Sequence, residues 1–328
     1  MIKRFRCEKL LEIRDGLSEQ LAVKPEETLC FEVPDPDLGG DLYSGEVFSL
    51  GGDRVRHRGY KSWVDLAELL GCRMLTPRKP SDEHGAGQGF VELRFAPLNL
   101  AGSFHDSSSE DPTEKYGRAS AFAHIDKSEE PTFAMALEAS LRAVDLEAGA
   151  RVLDLGINSG EEFELLRWVY GSQRFTQLQL VGIDHCESAI SHAQQRFSAA
   201  HCRLLQHDIN QLSELALGRF DLLLSIGTLH SPGIRDSKKL FMTLVQEHLS
   251  AAGAVILGFP NCRWMGGEVL HGARPRNYNY PEQSLLFKDV DFCKRYLQQH
   301  RFRVTLTGKY YVVLTATRTG LSRAPRID

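Results

Sequence analysis

Val152-Leu153-Asp154-Leu155-Gly156-Ile157-Asn158-Ser159-Gly160-Glu161-Glu162 decides the fold of this chain. Arg151 to Leu155 is a short, mostly apolar run, the pattern of a strand buried on both faces. Gly156 to Gly160 interrupts it, and a helical segment opens at Glu161. A strand that runs through a glycine turn straight into a helix begins a βαβ unit, and glycines there let backbone come close to a ligand. The same alternation continues outward. Leu178–Ile183, Cys202–Gln206, Phe220–Ser225 and Ala254–Phe259 are further apolar runs separated by helical segments. Upstream, a helix is predicted from about Glu129, with Pro131 in its first turn and Phe133, Leu137, Leu141 and Val144 at helical intervals. Five such strands between helices require a parallel sheet covered on both faces. Phe302–Thr307 and Tyr311–Thr317 follow, joined by a few residues that include Gly308. So short a link forces an antiparallel hairpin.

Acids stand at the carboxyl ends of three successive strands. Asp154 closes the first run, Asp184 follows Gly182-Ile183, and Asp208 follows His207. Asp184 is placed to accept hydrogen bonds from both hydroxyls of a ribose, and Asp208 from an adenine amino group. Each has a plainer reading as well: solvated loop acids for Asp154 and Asp184, a helix N-cap for Asp208. Glu161 and Glu162 can equally complement the positive end of a helix dipole.

In these residues the segment from about 129 to 317 resembles the class I S-adenosylmethionine-dependent methyltransferases. Their first motif, acid-x-Gly-x-Gly-x-Gly, falls on Asp154, Gly156, Asn158 and Gly160. Asn158 replaces the middle glycine, and asparagine is among the non-glycine residues that best tolerate left-handed backbone. The resemblance implies S-adenosyl-L-methionine as cofactor, bound by Asp154, Gly156, Asn158, Gly160, Glu161 and Ser225, with Asp184 on the ribose and Asp208 on the adenine. It also implies an α/β, Rossmann-like sheet of seven mostly parallel strands that ends in the antiparallel hairpin. A nicotinamide dinucleotide fits less well. Its pyrophosphate would lie at a helix start carrying Glu161 and Glu162, and Gly-x-x-x-Gly is not Gly-x-Gly-x-x-Gly.

The fourth strand leads into Ser225-Ile226-Gly227-Thr228-Leu229-His230-Ser231-Pro232, the position that faces the methyl acceptor in that family. It lacks the Asn-Pro-Pro-Tyr of base and amide N-methyltransferases and looks more like enzymes acting on small molecules. His230 is the candidate proton acceptor, since imidazole titrates near neutrality; a structural role is the alternative. Between Phe259 and Asp289 a long segment carries Arg263, Arg274, Arg276, Tyr278 and Tyr280, candidates for holding an anionic or planar acceptor. The expected function is methyl transfer to an O, N or C atom of a small molecule. A tRNA or other RNA acceptor and a noncatalytic binding role stay open. No metal-ligand spacing is found among the 12 histidines.

Residues 1–110 show mixed patterning and no motif, and are expected to form an accessory α+β domain. Its elements are a helix over Lys9–Leu21, a strand at Thr28–Val33, a helix whose apolar side is Trp63, Leu66, Leu69 and Leu70, and a strand at Phe90–Phe95. Residues 111–128 are expected as linker, 129–318 as the methyltransferase domain and 319–328 as a tail. The chain has 328 residues, 42% hydrophobic and 25% charged, an ordinary globular balance. Its net charge of −4 is uneven. Residues 1–130 hold 17 Lys and Arg against 24 Asp and Glu, whereas residues 255–328 hold 12 against 5. The acidic half speaks against RNA and the basic end for it. The seven cysteines are scattered, which points to reduced thiols. The charged N-terminal stretch and the lack of a long apolar run predict a cytoplasmic protein without a membrane span.

Overall fold

The computed structural model describes residues 2–80, 89–99, 112–229, 231, 233–272 and 283–320. They divide into two units: Met1–Gly102 with Met265–Glu268, and Ser103–Trp264 with Val269–Asp328.

The first unit contains β1 (Lys3–Arg4), α1 (Leu10–Val23), β2 (Leu29–Pro34), β3 (Val47–Leu50), β4 (Asp53–Arg56), α2 (Tyr60–Leu69), β5 (Cys72–Met74) and β6 (Phe90–Pro97). Four strands pair in the order β1-β2-β6-β5, and β3-β4 is a separate ribbon. Alternation in β2 and β6 sends Phe31, Val33, Leu93 and Phe95 to one face, where they pack with Ile13 and Leu17 of α1 and Trp63 of α2. Phe31 meets Phe95 edge to face at 5.0 Å, an aromatic contact that adds to simple burial. The apolar stripe of α2 differs from the expected one. Leu69 is 82% exposed and Ala67 is buried instead, because residues 63, 66, 67 and 70 share a helical face and residue 69 falls outside it.

The second unit holds α3 (Pro131–Val144), β7 (Arg151–Leu155), α4 (Glu161–Phe175), β8 (Gln179–Asp184), α5 (Glu187–Arg196), β9 (Cys202–Gln206), β10 (Phe220–Ile226), α6 (Ser237–Thr243), β11 (Leu249–Pro260), β12 (Cys262–Met265) and β13 (Glu268–His271) apart from Met265 and Glu268, α7 (Gln283–Gln299), β14 (Phe302–Thr307) and β15 (Tyr311–Arg318). Seven strands form one sheet, ordered β14-β15-β11-β10-β7-β8-β9. β7 to β11 run parallel, and β15 pairs antiparallel with both β11 and β14. Successive residues of β7 serve opposite faces: Val152 joins Phe133, Leu137, Phe163 and Leu166, whereas Leu153 joins Phe241, Val290 and Leu297. Thr315 of β15 donates to Ser140 of α3 at 2.7 Å, satisfying two hydroxyls inside the apolar layer.

Two stretches read as irregular are ordered. Cys262–His271, inside the segment expected to be one long loop, is the β12-β13 hairpin. Residues 112–129, which take in nearly all of the expected linker (111–128) and one residue after it, form three short 3-10 turns at Pro112–Glu114, Ala121–His124 and Lys127–Glu129. Glu130 then caps α3, its carboxylate accepting from the backbone N–H groups of Thr132 and Phe133. Among the described residues no helix is long and apolar enough to cross a membrane. None of the seven cysteines is in a disulfide; Cys72, Cys186, Cys262 and Cys293 are buried, Cys7 and Cys202 half-buried, and Cys30 exposed.

Candidate functional site

β7 and β8 lie in register with Asp154 opposite Gly182 and Leu155 opposite Ile183. Their carboxyl ends therefore deliver Asp154, the turn 156–160 and Asp184 to one place. The turn is wound left-handed at three points: Gly156 (φ 77°), Asn158 (φ 44°) and Gly160 (φ 91°). At two of these a side chain is also excluded by space. A Cβ on Gly156 would lie 1.9 Å from Thr228 Oγ1, and one on Gly160 would lie 2.5 Å from a ring carbon of Phe197. Gly156 N–H donates to Ile183 O at 2.8 Å, tying the turn to β8.

Asp184 builds the turn from the other side. Its Oδ2 accepts from Asn158 N–H at 3.0 Å and its Oδ1 from Cys186 N–H at 3.0 Å. Asn158 makes further use of its side chain: Nδ2 donates to Tyr116 O at 3.0 Å, and Oδ1 accepts from Ser159 Oγ at 3.0 Å. A glycine at 158 could supply the backbone angle and none of these contacts. Through Tyr116, residues 113–129 are strapped across the turn. Glu114 holds the strap at a second point, its carboxylate accepting from the backbone N–H and hydroxyl of Ser188 at the start of α5.

Lys127 is the third attachment and the least expected. Its ammonium, 7% exposed, donates to Glu162 Oε1 at 3.0 Å, and Glu162 is 1% exposed. Burial alone would lower the lysine's pKa, but Glu162 first, then Tyr311 and Glu161, outweigh it and the net shift is upward. Behind this pair stands Asp154, 1% exposed, with neither carboxylate oxygen bonded to a described residue. Burial first, and then repulsion from Glu162, push its carboxyl well above the usual carboxylate range, with Lys127 only partly opposing. Glu161 is raised in the same sense by burial and by Glu162. Arg196 of α5 steadies that corner, 3.7 Å from Glu161 and donating to Ser159 O at 2.7 Å. Asp154, Glu161, Glu162 and Asp184 against Lys127 leave an excess of buried acid.

Asp208 and Ser225 serve the framework. Asp208 Oδ1 accepts from both the backbone N–H and the side-chain amide of Asn210, each at 2.8 Å, so it caps the 3-10 turn Ile209–Glu214. Ser225 is buried and its hydroxyl donates to Leu155 O at 3.3 Å, linking β10 to β7. Arg263 lies on β12 with its Nε buried and without a partner among the described residues. His230, Arg274, Arg276, Tyr278 and Tyr280 lie outside the described residues.

Lys127, Glu114 and Tyr116 were not singled out by sequence reasoning, and Glu162 was read only beside Glu161, at the helix start. Glu162 left a signal, because it shares a helical face with Leu166 and Val169 and so belongs to the buried side of α4. The other three come from a polar stretch with no periodicity.

Residues 152–253 match a family of methyltransferase domains. Over 60 residues the chain is 42% identical to a trans-aconitate 2-methyltransferase of Yersinia pestis (strain Pestoides F), a match covering 18% of this chain and 20% of that enzyme. The match thus spans about a fifth of the length of this curated relative. Among solved structures, the chain is similar to a magnesium protoporphyrin IX methyltransferase from Synechocystis PCC 6803 with bound S-adenosylmethionine (15% identity, 65% of this chain and 100% of that one, TM-score 0.40). It is also similar to an S-adenosylmethionine-dependent methyltransferase from Mesorhizobium loti (20% identity, 55% and 96%, TM-score 0.38). The sequence match thus places a methyltransferase domain in the second unit, over the residues that form the glycine turn and the parallel strands already described.

Proposed function

We propose that the second unit binds S-adenosylmethionine at the carboxyl ends of β7 and β8 and methylates an anionic small molecule. The observation that carries this reading is Asp154: a carboxylate buried without a partner costs several kcal/mol unless a cation or donor meets it. A cofactor with an ammonium and a sulfonium suits the surplus of acids, and a phosphate-bearing one would be repelled. Asp154, Gly156, Asn158, Gly160, Glu161 and Asp184 would hold it. Asp208 has Oδ2 left for an adenine amino group while Oδ1 caps its turn. Ser225 would act through Leu155, whose carbonyl it orients. When bound, the cofactor supplies an electrophilic methyl group on sulfur.

The protein's own contribution is position and exclusion of water. The left-handed turn presents backbone instead of side chains, the strap at 113–129 covers it, and Lys127 pairs with Glu162 at its base. Two features support an anionic small molecule as acceptor: the partly buried guanidinium of Arg263, and the local identity to an enzyme named for the carboxylic acid trans-aconitate. His230 is kept as the proposed proton acceptor, and Arg274, Arg276, Tyr278 and Tyr280 as acceptor contacts.

Calorimetry with S-adenosylmethionine should give saturable binding that Asp154→Asn weakens at least tenfold in a folded protein. Incubation with methyl-labelled cofactor and cell extract should then leave label in the small-solute fraction. Equal affinity in the variant would remove Asp154 from the site. Label retained on RNA or protein would overturn the small-molecule reading.

A further inference from the structure

The amino-terminal end of the second unit's sheet carries a cavity that the methyl-transfer reading does not use. Its volume is about 310 Å³, and Arg219, Arg318, His300 and Gln246 give it polar walls. Val245, Leu249 and Ala251 complete it on the apolar side. Arg219 immediately precedes β10, Leu249 opens β11 and Arg318 ends β15, whereas the cofactor turn lies beyond the opposite ends of the parallel strands. Seven residues of β10 separate the two levels, roughly 20 Å at about 3.3 Å per residue.

Two guanidiniums face this cavity, and among the described residues neither has a carboxylate partner. Arg318 Nε is buried and unbonded, and burial alone lowers the pKa of that side chain, with no acid beside it to compensate. Both heads are held in place. Arg219 Nη1 donates to Leu249 O at 2.6 Å, Arg318 Nη1 donates to His300 O, and Arg318 lies 4.0 Å over the ring of Phe302. His300 is oriented too: its Nδ1 lies 2.7 Å from Tyr296 O, which makes Nδ1 the donor and leaves Nε2 for another partner. Gln246 Nε2 donates to Tyr296 Oη at 2.7 Å. Val245 and Gln246 sit in a π-helical turn, Leu244–His248, a rare conformation that recurs at functional sites.

We propose that this cavity is a second, noncatalytic binding site for a small phosphate monoester. Two preorganised guanidiniums offer paired donors to a doubly charged, tetrahedral anion, whereas a single carboxylate needs only one such fork. The volume lies at the lower end of ligand pockets and admits a phosphate with a small organic body against Val245, Leu249 and Ala251. Because the site stands apart from the cofactor turn, its occupant is not the methyl acceptor.

The test uses the full chain and calorimetric titration with inorganic phosphate, ribose 5-phosphate and AMP, with acetate, citrate and poly(U) as comparisons. A phosphorylated probe should bind saturably, and Arg219→Gln and Arg318→Gln should each weaken it about tenfold or more. S-adenosylmethionine affinity, measured on the same samples, should be unchanged in Arg219→Gln, whose exposed side chain makes it the safer variant for folding. No saturable binding of any phosphate probe at about 10 mM overturns the proposal. So does binding unaffected by both substitutions, preference for citrate, or tighter binding of poly(U) that the same substitutions weaken. Loss of cofactor binding in the parent protein would leave the phosphate result standing, since the two sites are read separately.

Discussion

Asp154 and Lys127 show how a buried charge depends on its surroundings. The carboxyl pKa of Asp154 is raised in the folded chain, so the folded state holds its proton more tightly than the unfolded one. Stability from this residue is therefore lost as pH rises from the ordinary carboxylate value of about 4 toward the raised folded value. Asp154→Asn should raise the melting temperature of the unliganded protein at neutral pH and flatten that pH dependence; thermal melts between about pH 4 and 8 check both. A lower melting temperature would mean that the carboxylate has a stabilising partner. Lys127→Met should destabilise by about 3–5 kcal/mol, because it strands Glu162 beside three other acids. Glu162→Gln should cost less, since Asp154 remains to face the ammonium. Urea unfolding of both variants decides, and equal losses would show that the acids do not act together.

Among elements, the strap at 113–129 carries the most specific expectation. Asn158→Gly would restore the family's usual residue and ease the left-handed backbone, yet remove the bond from Nδ2 to Tyr116 O. Global stability should change by less than about 1 kcal/mol, while amide exchange across 113–129 should speed up severalfold. Unchanged exchange would mean that Glu114 and Lys127 hold the strap without Asn158. The strap also marks where sequence reading stops. β7 to β11 were legible because each is a bounded apolar run, and the closing hairpin because its link is too short for a crossover. Asp154 and Asp184 were legible because they end such runs. Residues 113–129 hold their place by single polar contacts to residues far along the chain, and such contacts leave no period to read. The β12-β13 hairpin was missed for a related reason: its turn glycines, Gly266 and Gly267, lie in a segment whose aromatic and basic residues read as loop.

At the scale of the whole molecule, each unit has its own core. Trp63, Phe31 and Phe95 with the helix α1 close the first, and the seven-stranded sheet with helices on both faces closes the second. Residues 1–102 expressed alone should fold cooperatively, and residues 103–328 should retain S-adenosylmethionine binding within about threefold of the full chain. Circular dichroism melts and calorimetry test the two halves; a featureless melt for 1–102 would show that it depends on the rest.

The reduced cysteines give these units separate clocks. Cys30, the exposed thiol of the first unit, stands apart from Cys186, Cys262 and Cys293, which are enclosed in the second. Burial pushes the thiol of Cys293 up to about 12 and that of half-buried Cys202 up to about 11, so few of either are thiolate at neutral pH. An alkylating reagent applied to the native protein should mark Cys30 early. The later appearance of mass on peptides holding Cys186 or Cys293 would then time the opening of the second unit alone, without purification from a mixture.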